Sequence, residues 1–168
     1  MIDRRFIGHR LEPFTVPVEA SRLRFFAQAI GETNPVYRDV DTAREAGHPD
    51  LPVPPTFLFC LEMESPDPAA MRTRLGIDIA RVLHGEQRFT YHRMAHAGDT
   101  LRFEQRIADI YDKKGGALEF VVMERIVGPA RIGPASAPAP PCFMCFSVAI
   151  MARMRGSLAG QLVVAISS

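Results

Sequence analysis

The chain has 168 residues, 47% of them hydrophobic and 23% charged, with a formal net charge of +1. That length makes one domain with room for a core, and the even charge balance argues against a grip on nucleic acid or an anionic membrane. Apolar runs fall short of the ~20 residues of a membrane span, and no apolar signal segment follows Met1. Three cysteines without framework spacing, Cys60, Cys142 and Cys145, suit a reducing cytoplasmic compartment.

Residues 18–31 (VEASRLRFFAQAIG) place Leu23, Phe26, Ala27 and Ile30 at i, i+3, i+4 and i+7, with Gly31 as terminator. This predicts a helix with one buried face. Residues 32–54 carry Pro35, Pro49, Pro52, Pro54 and Gly47, and predict an irregular segment with one short helix over 41–46. Val36, Tyr37, Val40 and Leu51 give that segment groups to bury. At VPPTFLFCLEM, Pro55 suits the first helical position, where a missing N–H costs nothing. Residues 57–63 are apolar on nearly all sides except Glu62, as in a helix enclosed by other elements. That helix is expected to end near Ser65-Pro66.

Beyond residue 75 the period drops towards 2. EQRFTYHRM, TLRFEQRIADIY (with a slip near Ala108), ALEFVVMERIV and CFMCFSVAIMAR read as strands. Turns fall at 97–99 and at 113–116, the second a hairpin loop. GPARIGPASAPAPP, residues 128–141, is too rich in Gly and Pro for a ladder and reads as a flexible loop. Residues 154–168 read as a C-terminal tail on a single domain of 1–153. The sum is an α+β fold. An antiparallel sheet that wraps the enclosed helix is the hotdog arrangement, and periodicity alone fits another two-layer topology equally well.

Gly31-Glu32-Thr33-Asn34-Pro35-Val36-Tyr37, then AGHPDLPVPPTF, LHGEQRFTYHR and AGDTL, resemble the MaoC-like acyl dehydratases over about residues 10–127. The branch is that of the fatty-acid-synthase-type dehydratase domain and mycobacterial hydroxyacyl dehydratase subunits. The resemblance implies a hotdog fold, assembly as a homodimer or as a heterodimer with a MaoC-like subunit, and no cofactor. It further implies reversible hydration of a 2-enoyl thioester, of coenzyme A or acyl carrier protein, to the 3-hydroxyacyl thioester. Active members read Gly-Asp-x-Asn-Pro-x-His; here Glu32 stands at the Asp position and Tyr37 at the His position, while Gly31, Asn34 and Pro35 match.

Hydration needs a base for the water that attacks C3, a proton for C2, and donors for charge on the thioester oxygen. Imidazole titrates near neutrality and can exchange protons at working pH. A phenol with a free pKa of roughly 10 acts as a donor, and Glu moves the carboxylate by one methylene. The resemblance implies that the start of the enclosed helix binds the thioester carbonyl, which assigns that role to the N–H groups of Thr56 and Phe57. Asn34-Pro35 is also readable as a turn that aims residue 37.

His84, in LHGEQ, is the candidate to replace the missing imidazole, joining the face of Glu86 and His92 only if Gly85 leaves the strand unkinked. His92 and His96 lack a third ligand, and Cys142-x-x-Cys145 lacks a second pair, so no metal is expected. Two further readings share the fold: a non-enzymatic module that binds acyl thioesters, and a thioesterase using Glu62 or Glu64 on the enclosed helix. The lost Asp and His favour a non-catalytic partner subunit over a chain active alone through Glu32, Tyr37 and His84.

Overall fold

The structure, a computed structural model, describes residues 1–130 and 143–154. Its frame is a five-stranded antiparallel sheet of β1 (Phe14–Pro17), β2 (Leu83–Tyr91), β3 (Thr100–Lys113), β4 (Leu118–Pro129) and β5 (Met144–Met154), in the order β1-β3-β4-β5-β2. Four helices accompany it: α1 (Ala20–Ala29), α2 (Val40–Glu45), α3 (Phe57–Glu62) and α4 (Ala70–Leu75). The sheet packs one face on α3, and the fold is a hotdog.

Alternation places the strands. Along β4, Glu119, Val121, Met123, Arg125 and Val127 are buried on one face while their neighbours are more exposed. In β3 the alternation slips where Ile107 and Asp109 bracket a bulge at Ala108, so Phe103, Ile107 and Ile110 are all buried on one face of the sheet. The β3–β4 hairpin turns at residues 114–117, where Lys114, Gly115 and Gly116 adopt positive φ.

The core has two parts. Around α3, Leu58 and Leu61 meet Phe14, Leu51, Phe103 and Val127. Farther along the sheet, Met71 of α4 covers Ile107, Ile110, Val121 and Met123. Fully burying one such aliphatic side chain stabilises by about 1.5–3 kcal/mol, so these sheet–helix contacts contribute substantially to the site's frame.

The structure corrects several expectations. β1 and α4 were not predicted: a four-residue strand ending in Pro carries too little alternation to read. α1 is trimmed to Ala20–Ala29. α3 begins at Phe57, not Pro55, because Thr56 takes a left-handed conformation (φ 70°) that no continuing helix allows. β4 continues through Gly128 and Pro129, which pair with Arg102 and Leu101, so the expected loop does not open at 128. The remainder of that loop from 131, Cys142 and the tail beyond 154 lie outside the described residues, as does the Cys145 side chain. Among the described residues no helix is long and apolar enough to cross a membrane.

Candidate functional site

The segment after α1 is built by short-range hydrogen bonds. The Glu32 N–H donates to the Ala27 carbonyl at 2.8 Å, closing α1 past Gly31, which has φ 71°. The Glu32 carboxylate then accepts the Asn34 N–H (2.8 Å), and the Asn34 side chain accepts the Val36 N–H (3.1 Å). Pro35 opens a 3₁₀ turn, Pro35–Tyr37, whose exit is pinned to α1 by the Arg24 guanidinium donating to the Arg38 carbonyl (2.9 Å). Asn34 and Pro35 are thus turn-builders that aim Tyr37. Glu32 sits in the same turn, half-buried, with one oxygen already engaged.

The mouth of α3 departs from expectation. Neither backbone donor assigned to a thioester oxygen stands idle. The Thr56 N–H donates to the Tyr91 hydroxyl at 2.8 Å. The Phe57 N–H donates to the Pro54 carbonyl at 3.2 Å, the geometry of a tight turn entering the helix. A β-branched residue at φ 70° is an outlier costing of order 1–3 kcal/mol. Here the strained residue is the one whose amide meets Tyr91.

Tyr91 is the site residue that sequence reasoning missed. It ends β2 on the same face as Gln87 and Phe89, and its only signal is that inward parity. Burial pushes its phenol above the usual value; the Thr56 amide draws it down, and the nearby Tyr37 phenol pushes it up again. The Thr56 amide and Tyr91 therefore meet at the mouth of α3, with the Tyr37 phenol within electrostatic reach of Tyr91.

His84 does not join them. β2 carries a bulge between His84 and Glu86, so Gly85 does kink the strand. His84 pairs with Ile150, which pairs with the buried Val121, and this row belongs to the inner face. His84 consequently leaves the face of Glu86, and β2 ends at Tyr91, before His92. The imidazole meets the Phe59 ring edge-on, with centroids 5.9 Å apart. Burial, and then the Arg125 charge, hold its pKa below the ordinary histidine value. Tyr91 lies seven strand steps away, roughly 20 Å of chain. Within one protomer the three candidate catalytic side chains do not converge.

The carboxylates at the end of α3 are occupied. The buried Glu62 accepts from Arg125 Nε at 2.5 Å and from Gln105 Nε2 at 3.2 Å through one oxygen, while its other oxygen is buried without a hydrogen bond. Burial raises the Glu62 pKa and the Arg125 guanidinium opposes that rise. Glu64 pairs with Arg22 at the surface. Neither carboxylate is presented to the α3 mouth as a thioesterase base would require.

His96 and His48 face each other with ring nitrogens 3.2 Å apart, and the His96 backbone N–H donates to the Asp99 carboxylate. This contact ties residues 48–53 to the β2–β3 connection, where the Val53 N–H also bonds the Ala95 carbonyl. Among the described residues no three His, Cys, Asp or Glu side chains come together as metal ligands.

Strand order, an enclosed α3 and a Gly-x-x-Asn-Pro turn beside its start define a hotdog domain of the dehydratase type. The family model for the FAS1-like dehydratase domain region matches residues 5–131, and the chain belongs to that family. A UPF0336 protein of Saccharopolyspora erythraea is 39% identical over 115 residues, covering 68% of this chain and 74% of the relative. Among solved structures, the C-terminally truncated HadBC (3R-hydroxyacyl-ACP dehydratase) complex of Mycobacterium tuberculosis superposes with a TM-score of 0.69 at 21% identity, over 87% of this chain and 96% of that one. The ChsH1–ChsH2 complex of the same organism gives 0.67 at 21%, over 87% and 89%. At those identities the superpositions bear on the fold alone.

Proposed function

We propose that this chain is a subunit of an acyl-thioester hydratase/dehydratase, interconverting 2-enoyl and 3-hydroxyacyl thioesters of coenzyme A or acyl carrier protein. Within that enzyme it is the partner subunit of a MaoC-like chain that carries the Asp and His. The reading is supported by one observation above others: the Gly-x-x-Asn-Pro turn carries a phenol, Tyr37, where the family motif has His, within electrostatic reach of Tyr91, while the candidate imidazole His84 stands elsewhere, against Phe59. A phenol, as a functional group with a free pKa of roughly 10, is a hydrogen-bond donor and a poorer base for water than an imidazole. Fold neighbours that are two-chain complexes agree with a partner role. Domain limits of 1–153, with a tail beyond, accompany this proposal.

In such an assembly Glu32 shapes the turn, Tyr37 and Tyr91 donate to the acyl group, and the α3 mouth sets its carbonyl. The test uses the purified chain, alone and combined with a MaoC-like partner, and follows the conjugated enoyl absorbance of crotonyl-CoA. Turnover only in the combined sample is expected, with Glu32→Gln changing it less than tenfold. Turnover by the lone chain that Glu32→Gln abolishes contradicts the partner role. Acyl-CoA binding without turnover in either sample points to a binding module.

A further inference from the structure

We propose that the aliphatic part of the acyl thioester lies outside α3, in a cleft between α1 and α3, and not between α3 and the sheet. This rests on the acyl-thioester reading above. It deepens that reading by naming medium- and long-chain acyl groups as the substrate class.

The sheet side of α3 is closed by charge. Arg125 lies on β4 between the inward-facing Met123 and Val127, and its partner Gln105 lies on β3 between Phe103 and Ile107. Glu62 reaches from α3 onto both. This polar set divides the two hydrophobic clusters at the level where a chain entering beneath α3 would have to pass. An alkyl chain threading there separates a buried carboxylate from its guanidinium and offers no replacement hydrogen bond, an exchange that strongly disfavours entry.

The α1 side is open. A cleft of about 420 Å³ is lined by Ser21, Phe25, Phe26 and Ala29 of α1 and by Phe57 and Cys60 of α3, with Arg22 at its rim. On α1 these positions form one stripe that begins at Ala29, three residues before Glu32. On α3 they begin at Phe57, next to Thr56. On both helices the lining thus begins at the end that adjoins the candidate mouth along the chain. Its volume falls in the range of small-ligand sites. Phe26 and Phe57 supply ring surface, with centroids 4.9 Å apart, and Phe25 is 74% exposed, an apolar side chain with no cover.

The lining also selects the occupant. A pantetheine arm carries two amides that need partners, and the cleft offers only the Ser21 hydroxyl and an Arg22 guanidinium already paired with Glu64. Carbon surface of this kind suits methylenes. Because the far end is open, affinity should climb about twofold to fourfold per added methylene until the cleft is filled.

Cys60 provides a native reporter inside the cleft. The chain, in the assembly in which it purifies, is titrated by calorimetry with acetyl-, hexanoyl- and decanoyl-CoA. Alkylation of Cys60 by N-ethylmaleimide is then followed at saturation by peptide mass spectrometry. The expected result is affinity rising with chain length and at least fivefold protection of Cys60 by decanoyl-CoA, with none by acetyl-CoA. Ala29→Phe, at an exposed position that tolerates bulk, should remove the gain from hexanoyl to decanoyl while acetyl-CoA binding persists. Decanoyl-CoA bound with Cys60 alkylated at the free rate, or an unchanged chain-length preference in Ala29→Phe, overturns this inference alone. No binding of any acyl-CoA overturns it together with the function on which it rests.

Discussion

The Thr56 amide donates to the Tyr91 hydroxyl at 2.8 Å, tying the entrance of the enclosed helix to the last residue of the edge strand β2. The bond spans 35 positions and falls on a residue whose backbone is held at φ 70°. Strain at Thr56 is tolerated because Pro54, Tyr91 and the buried Phe57 fix the chain on both sides. The phenol that accepts this amide keeps its own O–H free to donate.

Tyr91→Phe removes the acceptor and leaves the Thr56 N–H to water at a half-exposed position. A loss of about 0.5–1.5 kcal/mol is expected in urea unfolding, with acyl-CoA affinity falling in the same protein. The complementary change is Thr56→Gly. Thr56 makes no side-chain cap, and Gly occupies the left-handed region freely. The variant should equal or exceed wild type by up to about 1 kcal/mol, whereas Thr→Gly at an ordinary unstrained position destabilises.

Arg125→Met strands the Glu62 carboxylate in the core, and a loss of about 3–5 kcal/mol at pH 7 is expected. The double change Glu62→Leu/Arg125→Met should restore most of it. The pH sign is fixed by Glu62, whose pKa burial raises from 4.5 against the pull of Arg125. A carboxyl with a raised folded pKa binds more protons folded than unfolded, so its contribution is best below about 4.5 and is lost as pH climbs through the raised value. Without Arg125 the rise is larger. The stability gap between Arg125→Met and wild type should therefore narrow from pH 7 to pH 5; a constant gap contradicts the burial of an ionised Glu62.

His84 and His96 both have lowered pKa values. Burial leads in each, assisted by the Arg125 charge for His84 and by His48 for His96, where Asp99 and Asp50 partly oppose it. Groups with depressed folded values bind fewer protons folded than unfolded, so their stability contribution is present above the reference value of 6.5 and fades as pH falls below it. Proton NMR should find both imidazoles titrating below free histidine. His96→Asn should blunt the acid-side loss of stability between pH 6.5 and 5.

Much of this frame was legible in the amino-acid order. The alternations of β2, β3 and β4 announced strands, and the slip at Ala108 announced the bulge, because side-chain parity is a local property. The Asn34-Pro35 turn was equally readable, since its hydrogen bonds span two or three residues. What escaped was non-local. Nothing near Thr56 indicates a left-handed threonine, because the contacts that hold it come from β2. Nothing near Glu62 names Arg125, 63 positions on. Nothing near Tyr91 shows that its hydroxyl meets an amide 35 positions away, and His84 changes faces at a bulge whose presence the glycine permits but does not compel.

The most direct measurement is a crystal structure of the chain, with its partner subunit, holding a non-hydrolysable 3-hydroxydecanoyl-CoA analogue. The carbonyl oxygen is expected within hydrogen-bonding distance of the Thr56–Tyr91 pair, with an imidazole from the partner facing C3. An acyl group bound away from the α3 mouth, or no partner side chain near C3, would contradict this.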